Sequence, residues 1–277
     1  MSDGAAELAA MSAAELSAKV RSEELSAIEV TRAFLQRIKE RSVGNAFITT
    51  CPEYALRQAA KRPKGPLAGV PLAVKDIFDT AGVRTTYGSS IFRNHVPAKT
   101  APAVAKLEEA GAIMVGKANL HEFAWGVTNQ NSHWGNVANP VSPGKVAGGS
   151  SGGNAAALAD GLCTIALGTD TGGSVRIPAA CCDVVGFKPP FDAVSTEGAF
   201  PLAASFDTVG PMARSVRDCA LVYSVLTGRT VPAPRLAGVR VGVLALTGFE
   251  DELTALGALV EDFVMPEPEA DLTAVFI

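Results

Sequence analysis

Two glycine-rich segments hold the serines whose surroundings are best suited to chemistry. They are residues 148–153 (GGSSGG) and residues 168–174 (GTDTGGS). Glycines this dense are costly in regular structure, and they make sense where the backbone must closely approach a ligand or another segment. A predicted helix follows each segment, and its free N–H groups can bind a phosphate or the oxyanion of a tetrahedral intermediate. The two segments therefore indicate phosphate binding or acyl transfer.

The first segment also fits the nucleophile elbow of α/β-hydrolases. Residues 148–152 match GxSxG, with Ser150 as the nucleophile. In those enzymes the histidine follows the serine along the chain, whereas His95, His121 and His133 all precede it here. This interpretation therefore requires a histidine from a missing C-terminal half.

A phosphate-binding loop is the second alternative. Residues 111–117 fit GxxxxGK, but Ala118 stands where such a loop needs serine or threonine to bind magnesium. The interior of the match, Ala-Ile-Met-Val, is typical of a strand, so we interpret the match as chance.

A serine nucleophile with a base other than histidine remains. A lysine can act as this base when burial lowers its pKa enough to make it neutral. Lys75 ends the apolar run 70–74 and precedes Asp76, which is a position where a lysine can be buried. Taken alone, however, a lysine at a strand end is usually solvated or paired with an acid.

The elements around these segments alternate between helices and short apolar strands, which predicts an α/β layer structure. Ser12 with Glu15 and Ser26 with Glu29 predict capping boxes for two helices within the first forty residues. Thr100 predicts the N-cap of a third helix. Further helices are predicted over 119–126 and 154–160, and strands over 70–75, 112–115, 162–167 and 239–246.

Composition bounds the remaining classes of function. The 277 residues are 48% hydrophobic and carry a net charge of −4, so we expect no nucleic-acid or membrane partner. We identify no signal peptide, and no apolar run approaches the roughly 20 residues that span a bilayer. The five cysteines form no CxxC pair, which predicts buried free thiols in the cytoplasm and no metal site. We expect no cofactor.

Taken together, the motifs closely resemble the amidase signature family. The similarity runs from about residue 60 to residue 220, in the family's order and at its spacing. Segment 69–76 resembles the family's lysine strand, 148–156 its glycine–serine core and 168–179 its nucleophile segment, while 135–140 and 186–189 match connecting pieces.

This resemblance implies a fold and a domain organisation. The fold is α/β, with a mixed β-sheet core sandwiched by helices and apparently lacking its C-terminal part. The whole chain, 1–277, is expected to form a single domain. It would consist of an N-terminal helical segment (1–60), a signature core (61–225) and the start of an incomplete C-terminal part (226–277).

The resemblance also implies a catalytic triad. Ser174 is the expected nucleophile, which becomes acylated. Ser150, preceded by a cis peptide bond, would bridge Ser174 and Lys75, and a neutral Lys75 would be the ultimate base. The oxyanion hole would be formed by the backbone N–H groups of Thr171, Gly172, Gly173 and Ser174.

Supporting roles are expected for three further residues. Ser151 would orient Lys75 or Ser150. Arg176 would pair with Asp170 and brace the loop, with direct contact to the substrate as the alternative.

Two aspartates and three aromatic residues complete the prediction. Asp183 and Asp192 stand where the family usually has glycine, so a side chain there could strain or reshape the backbone. Phe123, Trp125 and Trp134 are expected in the core, with the lining of an acyl pocket as the alternative.

The function implied first is hydrolysis of a small-molecule amide through an acyl-enzyme, by a stand-alone protein with a homodimer as the expected assembly. The first alternative is the glutaminase subunit of a tRNA-dependent amidotransferase, which passes ammonia to a partner. That subunit usually has a glutamate where Gln130 stands, which argues mildly against it. The second alternative is a catalytically impaired fragment, suggested by the chain's length and by the two aspartates.

Overall fold

A computed structural model describes residues 3–41, 44–233, 235–243 and 250–262. Residue contacts divide the chain into two units, Met1–Arg229 and Thr230–Ile277. Within the described ranges, no helix combines the length and the apolar character needed to cross a bilayer. The expectation of a single domain over 1–277 stays a prediction.

The helices and strands alternate along the first unit. It contains α1 (Asp3–Ala10), α2 (Ala13–Arg21), α3 (Ala27–Glu40), β1 (Phe47–Thr50), α4 (Pro52–Ala60), β2 (Pro71–Lys75), α5 (Pro102–Glu109), β3 (Ile113–Ala118), α6 (Gly152–Ala159), β4 (Ile165–Asp170), α7 (Arg176–Cys181), β5 (Val185–Gly186), β6 (Thr208–Ala213) and α8 (Val216–Thr227). The second unit contains β7 (Arg240–Val243), α9 (Glu250–Ala255) and β8 (Leu259–Asp262), and β7 pairs with β8 in parallel.

The described strands of the first unit form one six-stranded mixed sheet in the order β1-β3-β2-β4-β6-β5. Strand β2 runs parallel to both β3 and β4, and the other pairs are antiparallel. Lys75 ends β2 and Asp170 ends β4. Because the two strands are parallel neighbours, the lysine and the second glycine-rich segment leave the sheet at the same edge.

Both faces of the sheet are covered by helices, as the residue pattern along the strands shows. In β2, Leu72 and Val74 belong to one apolar cluster and Ala73 to another. In β4, Leu167 belongs to the first cluster and Ala166 to the second, as expected for side chains that alternate across a strand. Helices α5 and α8 contribute to the first cluster, and α6 and α7 to the second. The predicted α/β sandwich is therefore confirmed.

The first capping box is confirmed and the second is not. Ser12 accepts a hydrogen bond from the Glu15 N–H group, and the Glu15 side chain accepts one in return from the Ser12 N–H group. Ser26 does cap α3, but its hydroxyl accepts from the Ile28 N–H group at 3.3 Å. In a capping box this hydrogen bond would come from the N–H group of Glu29, one residue later. Glu29 therefore takes no part in the cap.

Two other expected helix features also differ. Ala101, not Thr100, is the N-cap of α5, and the Thr100 hydroxyl instead accepts a hydrogen bond from the Ala81 N–H group at 3.0 Å. The helix expected over 119–126 is only a 3₁₀ turn, Glu122–Ala124, because Phe123 adopts a left-handed φ of 50°.

The predicted strands are present with shifted ends. The strand expected over 112–115 is the longer β3, and the one expected over 162–167 begins later, as β4. Of the strand expected over 239–246, residues 240–243 form β7, and residues 244–246 lie outside the described residues.

Candidate active site

Lys75 lies at the centre of the candidate site with its side chain fully buried. Its Nζ atom lies 2.8 Å from Ser150 Oγ and 2.8 Å from Thr169 Oγ1. Burial lowers the pKa of Lys75 to about 7, although the carboxylates of Asp170 and Asp207 act to raise it. A substantial fraction of this amine is therefore neutral near pH 7 and able to accept a proton.

Thr169 was not recognised from the sequence, and its position explains how the amine is oriented. A neutral lysine has two N–H groups and one lone pair. Thr169 offers two acceptors to Lys75 Nζ, its hydroxyl at 2.8 Å and its carbonyl at 3.5 Å. When both N–H groups point at Thr169, the lone pair faces the Ser150 hydroxyl. The feature of the sequence that could have pointed to Thr169 is its position inside the second glycine-rich segment.

Ser150 follows a cis peptide bond from Gly149, the isomer that the family resemblance implies. Gly149 packs closely on Asn129, since a Cβ atom at this glycine would lie 2.8 Å from the Asn129 backbone nitrogen. The Asn129 side chain also accepts a hydrogen bond from the Gly152 N–H group at 2.8 Å. Asn129 thus holds the first glycine-rich segment in place, a contact between distant parts of the chain that the sequence pattern did not reveal.

Ser174 lies in the turn before α7 and is 6% exposed. Its carbonyl accepts a hydrogen bond from the Ser151 N–H group at 3.1 Å, which joins the two glycine-rich segments. No hydrogen bond links the hydroxyls of Ser174 and Ser150 among the residues that the structure describes. The structure thus brings Lys75 and Ser150 into hydrogen-bond contact. The transfer of a proton from Ser174 to Ser150, the other step of the expected relay, has no such contact among the described residues. Catalytic hydrogen bonds often tighten only when substrate is bound.

Ser151 contacts Thr169 and not the lysine. Its hydroxyl donates to the Thr169 carbonyl at 3.3 Å. Gly168 permits this approach, since a Cβ atom there would lie 2.9 Å from Ser151 Oγ. Ser151 therefore contacts Lys75 only indirectly, through Thr169, and its expected role in orienting Lys75 or Ser150 stays a prediction.

The expected pair between Asp170 and Arg176 is present. Arg176 donates through Nε at 3.0 Å and through its terminal nitrogen at 2.9 Å. The N–H groups of Gly173 and Val175 donate to the same carboxylate at 2.8 Å and 3.1 Å. Burial acts to raise the pKa of Asp170, but the hydrogen bonds from Arg176 and from the backbone outweigh it and lower the pKa. The ionised carboxylate therefore fixes the curvature of the nucleophile segment.

The backbone donors of the expected oxyanion hole are not equivalent. The Gly173 N–H group is already engaged with the Asp170 carboxylate. The N–H groups of Thr171, Gly172 and Ser174 make no hydrogen bond within the described part of the chain. These three groups are the ones left to stabilise developing negative charge.

The three aromatic residues have different surroundings. The Phe123 ring lies 5.0 Å from that of Phe200 and packs against the main apolar cluster, which supports a core role. Trp125 is 62% exposed, so its expected place in the core is wrong. The guanidinium of Arg93 lies 4.8 Å from the centre of the Trp134 ring.

The two unusual aspartates adopt the backbone conformation that favours glycine. Asp183 has a φ of 53° and Asp192 a φ of 61°. This region is open to glycine without cost, and aspartate is among the few other residues that adopt it readily. A left-handed φ at both positions is a physical reason for a preference for glycine there.

Comparisons with known proteins agree on one family. A model of the Amidase family matches residues 29–272. Among similar curated proteins, a Glutamyl-tRNA(Gln) amidotransferase subunit of Methylococcus capsulatus is 41% identical over 95% of this chain and 62% of the relative. The corresponding proteins of Geobacter sp. and Thermus thermophilus are both 48% identical, over 77% and 79% of this chain and 46% of each relative. The chain thus spans about half to three fifths of these relatives.

Solved structures agree with the sequence comparison. An amidase superposes with a TM-score of 0.83 at 37% identity, covering 91% of this chain and 63% of that one. For 6-aminohexanoate cyclic dimer hydrolase with substrate the TM-score is 0.85 at 30% identity, covering 93% and 61%. For the peptide amidase of Stenotrophomonas maltophilia it is 0.83 at 34% identity, covering 91% and 61%. The resemblance inferred from the motifs is confirmed, and the chain belongs to the amidase signature family.

Proposed function

We propose that this protein hydrolyses carboxylic amides through an acyl-enzyme formed on Ser174. The observation that carries the proposal is the 2.8 Å contact between the fully buried Lys75 Nζ and Ser150 Oγ. A buried, partly neutral lysine beside a serine hydroxyl is a general base that needs no histidine. Membership of the amidase signature family supports the same chemistry.

The proposed reaction moves one proton along the triad and back. Lys75 takes the Ser150 proton while Ser150 takes the Ser174 proton, and Ser174 Oγ attacks the amide carbonyl. The N–H groups of Thr171, Gly172 and Ser174 stabilise the oxyanion. The relay then reverses, protonates the leaving amine and breaks the C–N bond. Water enters by the same route, releases the carboxylic acid and restores Ser174.

A fluorophosphonate probe tests this proposal directly. It should label Ser174, as located by peptide mass spectrometry, and Ser174→Ala should abolish that labelling. Folded protein that resists the probe, or labelling that persists in Ser174→Ala, would contradict the proposal. Folded protein that resists the probe would favour the catalytically impaired fragment, whereas labelling that persists in Ser174→Ala would show that another residue is the reactive nucleophile.

A second candidate is the glutaminase subunit of an amidotransferase. It is favoured by the curated relatives, which are named as subunits of Glutamyl-tRNA(Gln) amidotransferase. Glutamine hydrolysis would then appear, or increase strongly, only when the protein is co-expressed with the other subunits of such a relative. Equal glutaminase activity with and without those subunits would argue against this candidate.

Assembly and location belong to the same proposal. The cysteines Cys51, Cys163, Cys181, Cys182 and Cys219 are all free, which suits the reducing cytoplasm. The homodimer is implied by the family resemblance, and sedimentation analysis of the purified protein would test it.

A further inference from the structure

A cavity of about 210 Å³ lies beside the candidate site. It is lined by residues 196–202 together with Ala124, Thr169, Ala204 and Asp207. Thr169 contacts Lys75 directly, so this cavity adjoins the proposed base. We call it the acidic cavity, for the charges described next.

Two carboxylates, those of Glu197 and Asp207, belong to residues that line the acidic cavity, and no basic residue is among the described residues lining it. Asp207 accepts hydrogen bonds from Thr171 Oγ1 at 2.5 Å and from the N–H groups of Leu202 and Ala203 at 2.9 Å and 3.1 Å. These donors are neutral, so they hold the carboxylate without cancelling its charge.

Glu197 is exposed, and its carboxylate has neither a hydrogen bond nor an ion pair within the described residues. The nearby Asp170, by contrast, is neutralised by Arg176. When Lys75 is neutral, as the proposed mechanism requires, the negative charges of Glu197 and Asp207 remain uncompensated. Apolar residues such as Phe200 and Leu202 form much of the remaining wall.

We propose that the acidic cavity selects amides whose chain ends in a cationic group, and that Glu197 determines this specificity. An aliphatic chain of a few carbons fits the apolar wall, and an ammonium group at its end lies in the field of two carboxylates. A chain ending in a carboxylate is disfavoured by the same field. This inference rests on the proposed function and names its substrate class.

Three anilides of similar length test the inference, because they differ in the charge at the end of the acyl chain. They are the δ-aminovaleryl, valeryl and glutaryl anilides, which are cationic, neutral and anionic. We expect kcat/KM to fall in that order. Glu197→Gln should lower kcat/KM for the cationic anilide by about fivefold, near the upper range for an exposed ion pair. The change should lie mainly in KM and leave the neutral anilide unaffected, while Glu197→Lys should favour the glutaryl anilide.

Glu53→Gln serves as the matched control, because Glu53 is also exposed but does not line the acidic cavity. It should change none of the three values. Equal kcat/KM for the three anilides, or an equal effect of Glu197→Gln on all of them, would overturn the inference. The proposed function would still stand if the valeryl anilide were hydrolysed by the protein and not by Ser174→Ala. A folded protein that hydrolyses no anilide and resists the fluorophosphonate probe would overturn both.

Discussion

At the scale of single residues, the protonation of Lys75 sets the pH range in which the proposed site can work. The amine must be neutral to accept a proton, and burial lowers its pKa to about 7. We therefore predict that the rate of Ser174 labelling rises with pH through about 7 and is flat above it. Rates measured between pH 5 and pH 9 test this, because that range extends to both sides of the Lys75 pKa. A rate that stays constant across this range, or that falls as pH rises through 7, would exclude a lysine base with this pKa.

Thr169 gives a second prediction at this scale. Thr169→Val removes the hydroxyl that holds one N–H group of Lys75, so the lone pair loses its fixed direction toward Ser150. The labelling rate should fall by roughly tenfold or more, as expected when a general base is misplaced.

The matched control for this prediction is Thr164→Val. Like Thr169, Thr164 is buried, but its hydroxyl has no hydrogen-bond partner in the described part of the chain. Its replacement should leave the labelling rate unchanged. If both variants lowered the rate equally while their melting temperatures stayed the same, the orienting role of Thr169 would be refuted.

At the scale of elements, Asp183 and Asp192 both have a left-handed backbone, a conformation that aspartate adopts more readily than most residues. In Asp183→Gly the backbone strain of the folded state is relieved, but the unfolded chain gains conformational entropy that must be lost on folding. Because the two effects oppose each other, the free energy of unfolding should differ from that of the unchanged protein by no more than about 0.5 kcal/mol. Asp183→Val should cost about 2 kcal/mol, because a β-branched residue is strained at positive φ. Urea denaturation of the two variants measures both values, and equal stability would show that φ is not positive in solution.

The same scale shows what could be predicted from sequence. Apolar runs and glycine stops located the strand ending at Lys75 and the helix after Ser150, because burial and chain reversal leave local signals. The expected helix over 119–126 failed because Phe123 takes a left-handed φ that no local pattern requires. Asn129 and Thr169 were missed for another reason, since their contacts join segments that are far apart in sequence.

At the scale of the whole molecule, the reactivity of the cysteine thiols measures how tightly the residues around them are packed. Cys51, Cys163, Cys182 and Cys219 are buried, and burial raises the pKa of each thiol to about 12. Cys181 is half-buried. We predict that a maleimide reacts with the native protein at Cys181 first, and with all five cysteines after denaturation. Mass spectrometry of the native protein would contradict this packing if the other four cysteines reacted as fast as Cys181.

The parallel pairing of β2 with β4 has a consequence for how the molecule is made. Leu72 pairs with Ile165, so these neighbours are joined by more than 90 residues of intervening chain. Closing so long a loop costs entropy before any contact repays it, and such non-local pairings form slowly. Lys75 and the nucleophile segment meet only once this pairing exists. A nascent chain therefore carries both halves of the site, separately and without reactivity, until a late step in folding joins them.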